Sequence, residues 1–235
     1  MMPGRRRPAR RPSADEAVAR EQWSTAHGGV DPEASVWIAG WLSIVHRLTG
    51  RLAGRHIPPG WITATGLVVS LLVPLLAWAG DGWPLAAAAC AVAAAVLDGV
   101  DGALARWEGT ESAWGRVLDD VADRCSDLLM LAALALLGAP VALCAAAGIA
   151  TLLLESARAS ARGAGLPGIG AVTVWERPSR VIVAAFGTGL CGVAGLVSAT
   201  DDAVRWIATA AAAIAVLLSA AGLLHLLVAL RRALR

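Results

Sequence analysis

The sequence predicts an all-α integral membrane protein with six transmembrane helices and an N-terminal amphipathic interfacial helix. Two observations predict this fold class. The chain of 235 residues is 57% hydrophobic and only 16% charged, a balance typical of membrane proteins. Beyond residue 58 it also contains six apolar segments, each long enough for the ~20 residues that a spanning helix needs.

The first 33 residues predict a disordered, basic cytosolic tail. They are rich in Arg, Pro and Ser, and no apolar run follows the basic residues as it would in a secretory signal peptide. The clustered arginines also suit contact with anionic lipid headgroups, although a role in fixing membrane topology alone explains them.

Residues 34–57 predict an amphipathic juxtamembrane helix. Apolar residues recur there at helical spacing, with Arg47 and Arg51 between them, and Trp41 suits the depth of the lipid headgroups. Pro58, Pro59 and Gly60 then interrupt the helix, so the membrane domain is expected to occupy residues 58–235.

The six apolar segments define the predicted spans. They are Trp61–Gly80, Trp83–Arg106, Arg116–Gly138, Pro140–Arg162, Arg180–Ala199 and Ala203–Leu230. The short connections after the first, third and fifth spans contain no Arg, whereas most arginines lie at the opposite segment ends and in both termini. The positive-inside rule therefore predicts a multi-pass protein of the cell inner (plasma) membrane, with both termini on the cytoplasmic side.

Acidic residues are concentrated on two consecutive predicted helices. Asp98 and Asp101 are three residues apart, and Asp119 and Asp123 are four apart, so each pair shares one helix face. Carboxylates are costly within a membrane and persist there when something pairs with them. Four converging carboxylates predict a site for two divalent cations, Mg²⁺ or Mn²⁺, that would clamp a diphosphate.

The spacing of these residues resembles the signature of the CDP-alcohol phosphotransferase (phosphatidyltransferase) family. The matching string is Asp98-x2-Asp101-Gly102-x2-Ala105-Arg106-x8-Gly115-x3-Asp119-x3-Asp123. The resemblance implies a membrane enzyme that moves the phosphatidyl group of CDP-diacylglycerol to a small polar alcohol and releases CMP. It also implies a homodimer and contact with membrane lipids, and no nucleic-acid partner is expected.

Roles carried over from the family fall on residues of the motif and its surroundings. The resemblance implies metal ligands at Asp98, Asp101, Asp119 and Asp123, with Asp123 also the general base. The implied nucleotide contacts are Thr63, Asp98, Gly102, Ala105, Arg106 and Gly115. Small residues at Gly102, Ala105 and Gly115 leave room for a nucleotide beside the backbone, and Arg106 offers bidentate geometry for phosphate oxygens. Asp120 and Asp127, outside the motif, are expected to face an Arg or water.

The stretch from Glu155 to Arg180 resembles the acceptor region of phosphatidylinositol-phosphate synthases, which implies inositol phosphate as the alcohol. Arg158, Arg177 and Arg180 match its arginine pattern, while Ser160 stands where a second Arg is usual. Positive-inside charge alone also explains these arginines.

The sequence is also compatible with three alternatives. The same chemistry with another acceptor, such as glycerol 3-phosphate, would need the same metal site. An intramembrane prenyltransferase would also use Asp-rich motifs and Mg²⁺, but on helices far apart in the sequence. A cation transporter would use membrane carboxylates without requiring small residues and an Arg at fixed offsets.

Overall fold

The computed structural model describes residues 24, 36–55, 57–166, 170–197 and 200–235. Across these residues the chain is all-helical, which confirms the predicted fold class at that level. The helices are α1 Val36–Leu52, α2 Pro59–Trp78, α3 Trp83–Glu108, α4 Ala113–Leu136, α5 Val141–Gly163, α6 Arg177–Leu196 and α7 Asp201–Ala233. Apart from Ser24, the predicted basic tail lies outside the described residues.

Five helices are long and apolar enough to cross a membrane, namely α2, α3, α5, α6 and α7. Helix α4 has a comparable length of 24 residues, but its N-terminal half carries three aspartates and two arginines. It packs against α2 and α5 within the bundle. The multi-pass character is therefore clear, and the sixth span, which corresponds to α4, stays a prediction.

Helix α1 forms within the predicted juxtamembrane segment and packs on α3. Its Val45 side chain is 6% exposed and lies over Gly99, where an added Cβ would be only 3.0 Å from a Val45 methyl group. Arg47 and Arg51 are exposed on the other side of the helix. This distribution is amphipathic, and the location of α1 in the membrane interface stays a prediction.

Small residues allow close packing between the long helices. Alanines dominate the main core cluster, which draws on α2 to α7. At Gly192 of α6, a Cβ would overlap the backbone of Leu85 in α3, so only glycine permits this crossing. Close approach through small residues is the usual way in which membrane helices associate.

A short turn between α3 and α4 brings the two acidic pairs to the same end of the bundle. Helix α3 ends at Glu108 and is capped by Gly109, whose φ of 64° is left-handed. Helix α4 begins after Ser112, whose side-chain oxygen accepts a hydrogen bond of 2.9 Å from the Gly115 N–H. The chain therefore reverses between Asp98 in α3 and Asp119 in α4.

Helix α6 begins nearly one turn earlier than the predicted start at Arg180. Glu176 precedes the helix in an extended conformation, and Pro178 occupies the first turn, where a missing N–H has no cost. Arg177 and Arg180 therefore lie on the same helix, at its end near α4 and α5.

Candidate active site

Three carboxylates from two helices converge at the end of the bundle. One oxygen each from Asp98, Asp119 and Asp123 lies within 4.8 Å of the others. Asp98 comes from α3, and Asp119 and Asp123 come from successive turns of α4. All three side chains are half-buried, so the cluster is reachable from outside the bundle but partly withdrawn from solvent.

Asp101, the fourth predicted ligand, lines the same cleft but turns toward α2. Thr63 donates a hydrogen bond of 2.5 Å from Oγ1 to Asp101 Oδ2, and the Gly102 N–H donates one of 2.6 Å to Oδ1. The lining of this cleft includes Thr63, Asp98, Asp101, Asp123 and Arg177. Asp101 is thus close to the three-carboxylate cluster without belonging to it.

The cluster has the donor set of a divalent cation site. It offers hard carboxylate oxygens, which are the ligands preferred by Mg²⁺ and Mn²⁺. Asp119 Oδ1 is also buried and accepts no hydrogen bond among the described residues. A buried carboxylate oxygen without a donor is costly unless a cation approaches it, so the residues present fit a bound metal.

The other motif residues surround the α3 end of this cleft. Gly102 follows Asp101, and the guanidinium of Arg106 lies over it, at 3.5 Å from the position that a Cβ would take. Ala105 is half-buried in the next turn, and Gly115 is exposed at the start of α4. A nucleotide role for these residues and for Thr63 stays a prediction.

Arg177 places its guanidinium between carboxylates of both helices. Its Nη2 lies 3.2 Å from Asp98 Oδ1, and its Nη1 contacts Asp123 Oδ1. The side chain is 19% exposed and lines the cleft. Among the three arginines predicted to bind the acceptor, Arg177 is thus the one that reaches the acid cluster.

Arg158 and Arg180 donate hydrogen bonds to carboxylates of the protein itself. Arg158 donates to both carboxylate oxygens of Glu176, at 2.9 and 2.5 Å, and to the Ala171 carbonyl. Arg180 donates to Asp127 at 2.8 Å and to Glu155 at 2.6 Å. Both arginines are buried, so a direct contact with an acceptor would require an exchange of partners.

Glu176 lies just before α6, and hydrogen bonds from neighbouring groups stabilise its negative charge. Burial alone would raise the pKa of its carboxyl, but hydrogen bonds from Arg158 and from the Thr173 N–H outweigh burial and lower the pKa below its ordinary value. The Thr173 hydroxyl adds a further hydrogen bond of 2.9 Å. These contacts fix the start of the helix that carries Arg177.

Arg124 and Glu155 were not singled out in the sequence, yet they adjoin the acid cluster. Arg124 Nη1 lies 3.6 Å from Asp123 Oδ2, and Arg124 Nη2 lies 3.2 Å from Glu155 Oε2. The only signal in the sequence was the position of Glu155, a carboxylate at the end of an apolar run and three residues before Arg158. The predicted pairing of Asp127 with an Arg is found, and Asp120 lies 3.4 Å from Arg124.

A bundle of long apolar helices with a carboxylate cluster at one end defines a membrane protein whose site suits divalent cations and phosphate groups. The chain belongs to the CDP-alcohol phosphatidyltransferase family, whose model matches residues 56–228. This membership confirms the resemblance seen in the motif, and the match extends from the start of α2 well into α7.

Individual relatives agree with the family assignment. The phosphatidylinositol phosphate synthase of Cutibacterium acnes is 29% identical over 98 residues, which are 42% of this chain and 47% of that protein. The match therefore spans about half the length of this relative.

Two crystal structures of a phosphatidylinositol phosphate synthase from Mycobacterium tuberculosis share the fold. One contains manganese and citrate, the other CDP-DAG, and each has 22% sequence identity and a TM-score of 0.63. The alignments cover 80% of this chain and 88% and 94% of the respective crystallised chains.

Proposed function

We propose that this protein is a membrane phosphatidyltransferase that moves the phosphatidyl group of CDP-diacylglycerol to a hydroxyl of a polar alcohol and releases CMP. The observation that carries the proposal is the convergence of Asp98, Asp119 and Asp123 within 4.8 Å, in a chain of this family. Such a cluster suits divalent cations, which would neutralise the diphosphate and stabilise the departing phosphate when bound.

The residues of the cleft divide the chemical work. Asp98, Asp101, Asp119 and Asp123 would hold the two cations. The alcohol oxygen attacks the lipid-bearing phosphorus, a new P–O bond forms, and the bond from that phosphorus to the bridging oxygen breaks. CMP leaves with the bonding electrons, and the hydroxyl proton passes to the Asp123 carboxylate. Thr63 orients Asp101, while Arg106 and the small residues Gly102, Ala105 and Gly115 would receive the nucleotide.

Inositol phosphate is the proposed acceptor. The sequence pattern around Arg158, Arg177 and Arg180 supports it, and the Cutibacterium acnes relative bears the name phosphatidylinositol phosphate synthase. Arg177 lies within the cleft and presents a guanidinium that suits an acceptor phosphate. Arg158 and Arg180 would bind the acceptor phosphate if it replaces their present carboxylate partners.

The proposed setting is the cell inner membrane, with six spans, α1 in the interface, and both termini and the cleft facing the cytoplasm. The distribution of arginines supports this orientation by the positive-inside rule. A cleft on the cytoplasmic side would receive soluble alcohols directly. We also infer a homodimer from the family resemblance. Light scattering of the purified protein in detergent would measure its mass and would contradict the dimer if it gave a single chain.

An acceptor panel tests this function. Purified protein would be given CDP-diacylglycerol, Mg²⁺ or Mn²⁺, and in turn inositol phosphate, glycerol 3-phosphate, inositol, serine or phosphatidylglycerol. We expect CMP release and a new phospholipid with inositol phosphate, abolished by a chelator. Release with glycerol 3-phosphate instead would change the acceptor alone, and no release with any alcohol would contradict the proposed activity.

A further inference from the structure

Glu155 is surrounded by three arginines from three helices. Its Oε1 lies 2.6 Å from Arg180 Nη2 and 3.7 Å from Arg158 Nη1, and its Oε2 lies 3.2 Å from Arg124 Nη2. The Glu155 side chain is only 16% exposed. One carboxylate therefore joins α4, α5 and α6 directly beside the acid cluster.

Two series of contacts connect Glu155 with Asp123. The first passes through Arg124, which touches both carboxylates. The second passes through Arg158, which holds Glu176 at the start of α6, and then through the neighbouring Arg177, which contacts Asp123. Glu155 is thus linked to the proposed base from two sides.

Arg124 is the arginine of this network that depends most on Glu155. Arg180 keeps Asp127 as a second partner, and Arg158 keeps Glu176, so both buried arginines remain paired without Glu155. Within the described part of the chain, Arg124 would keep two ion-pair partners, Asp120, whose side chain is 55% exposed, and Asp123, whose side chain is 16% exposed. Since exposed pairs are weak, Arg124 would then favour Asp123.

We propose that Glu155 is a positioning residue that acts through Arg124. By attracting the Arg124 guanidinium, Glu155 holds it at 3.6 Å from Asp123 Oδ2 and keeps it from forming a closer, hydrogen-bonded pair there. The Asp123 carboxylate is thereby left available to a divalent cation and to the proton of the attacking hydroxyl. The second part of this statement rests on the proposed function, whereas the competition between Glu155 and Asp123 for Arg124 does not depend on turnover.

A double-mutant cycle on Mn²⁺ binding tests this inference. Glu155→Gln, Arg124→Gln and the double variant would be titrated with Mn²⁺, with free ion measured by its electron paramagnetic resonance signal. Glu155→Gln should weaken binding about tenfold, because Arg124 then competes for Asp123. In the Arg124→Gln background the same substitution should change affinity less than about twofold. Glu111→Gln, an exposed residue of the α3–α4 turn, is the matched control for loss of one negative charge.

Equal weakening by Glu155→Gln in both backgrounds would overturn the inference, because Glu155 would then act through general charge and not through Arg124. Arg124→Gln alone gives a second test if Glu155→Gln does not fold. It should bind Mn²⁺ at least as tightly as wild type, and a tenfold loss would contradict the proposed competition.

Kinetics separate this role from the proposed function. Glu155→Gln should lower kcat about tenfold and change the KM for CDP-diacylglycerol less than about threefold. The reason is that the substitution impairs the proposed base, Asp123, and not nucleotide binding. A rise in KM with unchanged kcat would contradict the positioning role. If wild type transfers to no alcohol, the proposed function fails, and the Mn²⁺ cycle still decides the role of Glu155.

Discussion

Arg180 and Asp127 form an ion pair of 2.8 Å between α6 and α4, and each side chain is only 4% exposed. Burial of two charges is tolerated because each satisfies the other, and removal of one leaves an uncompensated charge in the interior. Arg180 has a second carboxylate partner in Glu155, whereas the Oδ1 atom of Asp127 has no hydrogen-bond donor among the described residues. The two residues therefore differ in what their loss should cost.

Arg180→Met should destabilise the protein by about 3–5 kcal/mol, because it leaves the buried Asp127 carboxylate without its ion-pair partner. Asp127→Asn should cost less, since Arg180 keeps Glu155. Thermal unfolding in detergent measures both, with Arg162→Met, an exposed arginine of α5, as the control. An unchanged Tm for Arg180→Met together with a raised acceptor KM would show that Arg180 serves the acceptor and not the fold.

Thr63→Val should reduce kcat/KM about tenfold, because Asp101 loses the hydroxyl donor that fixes the orientation of its carboxylate at the cleft. Thr65→Val is the matched control. The Thr65 hydroxyl donates to the Trp61 carbonyl of its own helix, and the residue is exposed. Equal effects of the two substitutions on kcat/KM would assign the loss to helix α2 and not to Asp101.

Arg177→Ala should raise the acceptor KM and tighten Mn²⁺ binding about threefold to tenfold. The first effect follows from a lost phosphate partner, and the second from removal of a positive charge that contacts Asp98 and Asp123. Acceptor kinetics and the Mn²⁺ titration measure the two effects, with Arg162→Ala as control. Weaker Mn²⁺ binding in Arg177→Ala would contradict the view that its guanidinium competes with the cation.

Glu176 should make stability depend on pH at the acidic end. Its folded pKa is lowered below the ordinary 4.5, so its contribution is fully present above that pH and is lost as pH falls through the lowered value. Scans of Tm against pH should therefore show a steeper acid decline in wild type than in Glu176→Gln. Parallel curves would mean that Glu176 has no lowered pKa, and Glu111→Gln serves as the control.

The convergence of the acidic residues was accessible from the sequence, because helical spacing puts Asp119 and Asp123 on one face and a short turn returns the chain to Asp98. The position of Asp101 was less accessible. Its orientation depends on Thr63, which is 38 residues away, and local spacing carries no information about that contact.

Apart from Glu155, which is three residues before Arg158 on the same helix, the partners of Arg158 and Arg180 could not be predicted from spacing. Their carboxylates come from three places in the chain, Asp127, Glu155 and Glu176, which meet only when α4, α5 and α6 pack. The sequence showed arginines in an acceptor-like pattern, and tertiary packing surrounds two of them with protein carboxylates. Helix α4 illustrates the same limit, since its charged face gives it a low hydropathy although it lies within the bundle.

Titration of Mn²⁺ into the purified protein and its aspartate variants tests the central claim most directly. We predict that Asp98→Asn, Asp119→Asn and Asp123→Asn each weaken Mn²⁺ binding at least about tenfold, because each removes one ligand of a shared site. Asp202→Asn, an exposed residue in the first turn of α7, should bind Mn²⁺ like wild type. Unchanged affinity in all three cluster variants would contradict a metal site formed by these carboxylates.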